Sequence, residues 1–546
     1  MTISPTGEQA QVIEWEGNAA VSARPGSGKT FTMACMITNA SENLLSHQGI
    51  IAISYTRKAS AELEARCERF GAKKKRSFYG TIDSFCLTEI IAPFAKHLEE
   101  ASRDIEVVDT CRGYPDIAKL DETWNSRAED RWDLVKKALQ LGVLPVSALS
   151  EVAFCMMRHI PGVNHYLSAR YTGVYIDEYQ DCGLAQHMLV LGLSTLGLTT
   201  VAFGDLDQAI FAYDNKSSAY FNELLASKQF KTFEITKNHR CHQSIIEYSL
   251  RLMGSTTLHS CSGDQDKRVI QAHIQGDERS IAAWMNLSLN QIKEKYDVDS
   301  NNQIALIAKS NKELKLYDSL LSFPCKRFEQ TKLDSGFSKT RGFLRGLLAF
   351  LYDNNGFPDD FLEQFISPET NPRQFIKARA ILQDLMGYKD SVWHKLVYDF
   401  QSLACLSIED PDDISAWSDF GELLANIEEL RSGYMPAQSD QINLLTYHKS
   451  KGLEFDVVFC LSCYKYLMPE FDYENKPYDS YTQSLNMHYV GITRAKKACY
   501  IPTATLRHTW KNKLVAANPS EFLSINGLEK LRKHIRFIQD DTSWID

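Results

Sequence analysis

Ala23-Arg24-Pro25-Gly26-Ser27-Gly28-Lys29-Thr30 is the stretch on which the fold reading turns. An apolar run, residues 18–22, leads into it and reads as a buried strand, while residues 31–37 lead out of it as a helix. Glycines between a strand and a helix leave backbone N–H groups free, which makes a nest for phosphate at the helix N-terminus. In that setting Ala23, Pro25, Gly26, Ser27 and Gly28 form the cradle and Lys29 reaches the β- and γ-phosphates. The Thr30 hydroxyl holds Mg²⁺. Ala23 stands where the P-loop pattern has glycine, and its small side chain still fits. The expected ligand is a nucleoside triphosphate.

A second anchor is Tyr175-Ile176-Asp177-Glu178-Tyr179-Gln180-Asp181, where an apolar strand delivers two adjacent carboxylates to its C-terminal end. Asp177 is expected to bind the Mg²⁺ shell and Glu178 to polarise the attacking water. A further strand, residues 198–203, ends in a loop carrying Gln208, Phe211 and Tyr213. Gln208 is placed to sense the γ-phosphate, and the two aromatics present faces for bases. Near the N-terminus, the Gln9 amide has the donor and acceptor needed to read an adenine edge. Thr56, Arg57, Thr81 and Phe85 follow two more strand ends and so line the same crevice of a doubly wound sheet. Hydroxyls and a cation there suit a phosphate backbone, and Phe85 suits a base.

Length and composition frame these motifs. A chain of 546 residues is too long for one core and divides into about three or four domains. No apolar run is long enough to span a bilayer, and residues 1–11 lack the core of a signal peptide, so a cytoplasmic protein is expected. Thirteen cysteines scattered through apparent helices and strands read as buried thiols. Cys460-x-x-Cys463 lacks a second pair to complete a metal site and reads as packing. A net charge of −9 argues against a sheath of non-specific DNA contacts, while leaving room for a locally basic channel.

These segments, in this order, resemble the UvrD/Rep/PcrA family of superfamily 1 helicases, over residues 9 to about 523. Asn238-His239-Arg240 matches the family's Asn-Tyr-Arg, with His239 in place of the Tyr that stacks on adenine. Thr446-Tyr447-His448-Lys449-Ser450-Lys451-Gly452-Leu453-Glu454-Phe455 matches Thr-x-His-x-x-Lys-Gly-Leu-Glu-Phe. Tyr489-Val490-Gly491-Ile492-Thr493-Arg494-Ala495 matches the last family motif. By this resemblance Arg240 and Arg494 act as arginine fingers from across the cleft. Thr446 and His448 face DNA, and Gly452 and Glu454 approach the nucleotide. Departures stand at Asp83, Leu206 and residues 483–486, where Gln-Ser-Leu-Asn replaces the family's Glu and Arg residues.

The resemblance implies an α/β fold of two RecA-like P-loop NTPase domains with parallel sheets, each with a mainly helical insertion. The expected boundaries are 1–86 with 169–240 for the first domain and 87–168 for its insertion. The second domain takes 241–335 with 439–546, and its short insertion 336–438. It also implies ATP and Mg²⁺ between the domains, single-stranded DNA across their tops and 3′→5′ translocation. Compact family members occur as helicase subunits of larger assemblies, including antiphage systems such as Gabija, so DNA repair or antiphage defence beside a nuclease or other partner is expected. The helical segment 87–168, without chemistry of its own, is the expected docking surface. The rival expectation is a regulatory DNA-sensing ATPase subunit that unwinds little by itself.

Overall fold

Two mainly parallel sheets carry the chain, and the loops and helices that follow their strands carry the described motifs. The computed structural model describes residues 4–54, 57–98, 101–102, 105–108, 110–122, 124, 130–211, 216–255, 267–328, 331–334, 338–352, 357–362, 365–366, 368, 371–408, 411–470, 479–509, 511–538 and 541–545. The first sheet has six strands in the order Phe78–Gly80, Gly49–Ile53, Tyr171–Ile176, Thr199–Gly204, Ala19–Ala23, Lys231–Ile235. All of its pairings are parallel. The central strands are buried on both faces, which is why they read as unbroken apolar runs rather than alternating ones. Parallel pairing brings all six C-terminal ends to one edge.

The second sheet runs Cys325–Arg327, Ile442–Thr446, Ile304–Ala308, Phe455–Cys460, Ala495–Ala504, Val269–Ile274, Lys533–Ile538, Asp541–Ile545. Only the last pairing is antiparallel. The fold is therefore α/β with parallel sheets and many helices. None of the described helices is long and apolar enough to cross a membrane. The cysteines Cys460, Cys463 and Cys499 are buried free thiols within the second unit's core.

The two helical insertions differ in how they use their apolar faces. Residues 87–168 also hold a two-stranded pairing, Glu106–Val108 with Val143–Pro145. Their core is continuous with one face of the first sheet, and the helix Leu149–His159 is buried along residues 149–157. Among the described residues of that segment Leu141 is the one large apolar side chain left exposed, and most of the others are already spent against the sheet, which leaves less apolar surface for docking than expected. The insertion of the second unit instead forms its own core around Leu344, Phe361, Leu382, Phe400 and Phe420. It leaves Phe357, Ile376, Tyr388, Tyr398 and Ile414 in solvent, the last at 85% exposure.

One carboxyl of the second unit makes a stability prediction. Glu313, in the helix Asn311–Leu320, accepts from the Ser462 hydroxyl, and burial pushes its pKa up to about 7 against that hydrogen bond, with Glu278 adding repulsion. The folded chain then keeps this proton where the unfolded chain has already released it. Stability from this group is complete below the ordinary carboxylate range and is lost as pH rises towards about 7. Glu313→Gln keeps an acceptor for Ser462 without the charge. It is expected to melt later than wild type at pH 8, by about 1–3 kcal/mol, and to match it near pH 4.5. Thermal melts of both proteins at the two pH values check this.

Candidate active site

Gly26 and Gly28 explain the local shape of the loop after the first strand. Both take positive φ, +67° and +81°. A Cβ on Gly26 would lie 2.6 Å from the Arg240 Cβ, and one on Gly28 would lie 2.5 Å from Gln9 Nε2, so glycine is required twice over. Asn238 ties the loop down from the neighbouring strand's end, its Nδ2 donating to the Pro25 carbonyl at 2.7 Å. Its Oδ1 accepts from the backbone N–H groups of Arg240 and Cys241. His239 donates its backbone N–H to Gly26 O at 2.8 Å and leaves its ring exposed. The Gln9 amide is engaged at both ends, accepting from Thr6 N and donating to Ser27 O at 2.8 Å.

Lys29 opens the helix Lys29–Glu42, with Thr30 half-buried behind it. Its ammonium lies 2.9 Å from Asp177 Oδ1 and against Glu178 Oε1. Burial alone would depress this ammonium, but Asp177 and Glu178 reverse that and hold it above the ordinary lysine range. Burial pushes Asp177 up while Lys29 opposes it; Glu178, also largely buried, is pulled below its ordinary value by Lys29 and Lys451. Glu178 also sits at φ +55°, a left-handed backbone unusual for a side-chain-bearing residue and typical of functional loops. The Ser27 hydroxyl is buried without a hydrogen-bond partner among the described residues. An orphaned donor, a glycine cradle and a lysine facing two carboxylates fit a triphosphate with its divalent cation.

The second unit closes on this site. Lys451 places its ammonium on Asp181 and 3.2 Å from Glu178 Oε2. Arg494 is 1% exposed and donates through Nη2 to Gln208 Oε1 at 2.9 Å, with further bonds to the carbonyls of Val490 and Leu453. Burial, with repulsion from Arg240, pulls its guanidinium down to about 10. Gln208 in turn donates to Asp205, whose carboxyl burial pushes up to about 7. Arg240 lies in the first unit, as the 169–240 boundary expected, but not across the cleft: it follows the first sheet's edge strand and sits beside the phosphate cradle of the same unit. It meets the second unit through Glu454, Nε to Oε2 at 2.7 Å. Gly452, at φ +83°, opens the turn before Glu454.

Residues expected to meet DNA divide. His448 Nε2 lies 3.1 Å from the Ile210 carbonyl, and its ring tilts over Phe211 at 5.4 Å between centroids. Thr446 caps its own short helix through Lys449 N, and Thr81 does the same for Ser84 N. Phe85 has no exposure and packs edge-on against Phe78 and Tyr171. Its ring offers no face to a base, because the sheet's flank needed it as core. Thr56, Tyr213 and the Arg57 side chain lie outside the described residues.

Four functional contacts went unassigned in the sequence. Lys451 and Gln180 sit inside the quoted motifs, so the signal was present without a partner to read it against. Gln483 and Asn486, the departures before Tyr489, donate to the carbonyls of Ile210 and Ala209 at 2.8 and 2.9 Å. They tie the helix Ser480–Thr493 to the loop that carries Gln208 and Phe211.

Comparison with known proteins agrees with this geometry. The model of the UvrD/REP helicase N-terminal domain matches residues 5–125 and 118–231, and that of the UvrD-like helicase C-terminal domain matches 405–505. The chain belongs to the UvrD-like helicase family. Gabija protein GajB of Bacillus cereus is 24% identical over 498 residues, spanning 89% of this chain and 93% of that protein. The ATP-dependent DNA helicase UvrD1 of Mycobacterium tuberculosis is 21% identical, covering 94% of this chain and 84% of its own. A probable DNA helicase II homolog of Mycoplasma genitalium is 22% identical, covering 96% and 88%. This UvrD-like chain thus aligns with its relatives across both sheets.

Proposed function

We propose that the chain is an ATP-dependent single-stranded DNA translocase and helicase with 3′→5′ polarity, working in a DNA repair or antiphage defence complex. The observation that carries this is the junction itself. Glu178 is gripped from one side by Lys29 of its own unit and from the other by Lys451 of the second, so the two sheets share one catalytic carboxylate. Gly26, Ser27, Gly28, Lys29 and Thr30 would bind the triphosphate of a nucleotide whose adenine edge Gln9 reads, and Thr30 with Asp177 would hold Mg²⁺. The metal supplies charge neutralisation on the phosphates when bound. Glu178 orients water and takes up its proton, Gln208 senses the phosphate end, and Arg240 and Arg494 stabilise charge there. The Gln208–Phe211 loop links this chemistry to Phe211 and His448 on the DNA side, since the second unit holds its carbonyls through His448, Lys451 and Gln483.

A second reading, a regulatory ATPase subunit with little unwinding of its own, is favoured by the exposed apolar side chains on the second insertion. They suit a protein partner, a nuclease or another subunit. One experiment decides between the two. The purified chain is given 3′-tailed and 5′-tailed duplexes with ATP, and ATPase is followed in parallel. Unwinding of the 3′-tailed substrate alone supports the motor; DNA-stimulated ATPase without unwinding supports the regulatory subunit. ATPase indifferent to DNA would overturn both.

A further inference from the structure

Lys451 leaves the second unit just after the short helix Tyr447–Ser450 and ends inside the first. Its ammonium meets three acceptors there: the Asp181 carboxylate, Glu178 Oε2 at 3.2 Å, and the Gln208 carbonyl at 2.8 Å. That is one acceptor for each of its protons. The side chain is 7% exposed. Burial would depress the ammonium, yet Asp181 and Glu178 hold it above the ordinary lysine range.

Stability alone does not account for such a contact. An ion pair taken out of water recovers little net energy, and an apolar residue of similar size does as well in many proteins. What an apolar side chain lacks is a hold on Glu178. The direction of the Glu178 carboxylate is given by the contacts on its two oxygens. Oε1 faces Lys29, whereas Oε2 takes both Lys451 and the Gln180 amide. Once phosphate engages Lys29, the contacts remaining on the carboxylate are those on Oε2.

We infer that Lys451 is a positioning residue for ATP hydrolysis: from the opposite unit it fixes Glu178 Oε2 and so aims Oε1 at water only when the two units are closed. The inference rests on the role given to Glu178 above. It makes turnover contingent on domain closure without requiring Lys451 to touch nucleotide.

The test compares steady-state ATPase of the full chain with saturating single-stranded DNA for Lys451→Met, Asp181→Asn and Glu178→Gln. Lys451→Met is expected to lower kcat at least tenfold while KM for ATP stays within twofold. Asp181→Asn keeps an acceptor for the ammonium and leaves Lys451 on Glu178, so kcat should stay within threefold. A purely structural tie would behave otherwise: both variants would lower the melting temperature together, with kcat of the folded fraction unchanged. That pattern overturns the inference. If Glu178→Gln turns over normally, the role of Glu178 falls and the inference falls with it. If Glu178→Gln is inactive while Lys451→Met keeps its kcat, only the assignment of Lys451 is lost. Should Lys451→Met not fold, Lys451→Gln decides on the same kcat and KM criteria.

Discussion

Glu178→Gln is expected to bind ATP with near wild-type affinity and to hydrolyse it at least a hundredfold more slowly. The change swaps a carboxylate for an amide of the same size, so the cradle of Gly26, Ser27 and Gly28 is untouched. An amide oxygen still accepts from Lys29, and the adjacent Asp177 still holds that ammonium at 2.9 Å. What is lost is the group that orients water and takes its proton, and a positioned base contributes about 10²–10⁴ in rate. The amide nitrogen also meets Lys451 and the Gln180 amide where the carboxylate accepted from both, which turns the side chain out of line. Binding of a fluorescent ATP analogue together with single-turnover hydrolysis separates the two effects. Turnover within threefold of wild type would remove Glu178 from the mechanism.

The fold and the phosphate cradle were readable because both depend on short-range rules. Residues 49–53 must be a strand buried on both faces, since five consecutive apolar or small residues have no other use between polar loops. Gly26 and Gly28 announce a backbone that only glycine adopts easily. The placement of Phe85 was not readable in this way. A Phe near a strand end suits a base or a core equally, and the choice was made by Phe78 and by Tyr171, far along the chain. Arg240 shows the same limit in part. The expected boundary at residue 240 put it with the first sheet, but its motif names a finger from across the cleft. Which side it acts from is set by the pairing of Lys231–Ile235 with Ala19–Ala23, a long-range register. Lys451 and Asn486 act across the junction between the two units, and neither carries a local sign of its partner.

Lys29→Ala is expected to abolish nucleotide binding and, in the absence of nucleotide, to cost the protein about 3 kcal/mol of stability, at the low end for breaking a buried ion pair. The first effect follows from removing the one ammonium in the cradle. The second is specific to this structure. Lys29 is the cation shared by Asp177 and Glu178, whose side chains are 10% and 18% exposed. Without it, burial and mutual repulsion act on two neighbouring carboxylates unopposed on that side. Lys451 still covers Glu178, which limits the loss, whereas among the described residues Asp177 keeps the Glu178 N–H at 2.8 Å. The destabilisation should therefore be traceable to Asp177. Lys29→Ala combined with Asp177→Asn is expected to recover most of the lost stability without recovering ATP binding. Urea unfolding of the single and double variants, with nucleotide binding measured on each, checks both halves. If Lys29→Ala unfolds with wild type, or if the added Asp177→Asn change lowers stability further, the lysine is not neutralising that carboxylate pair.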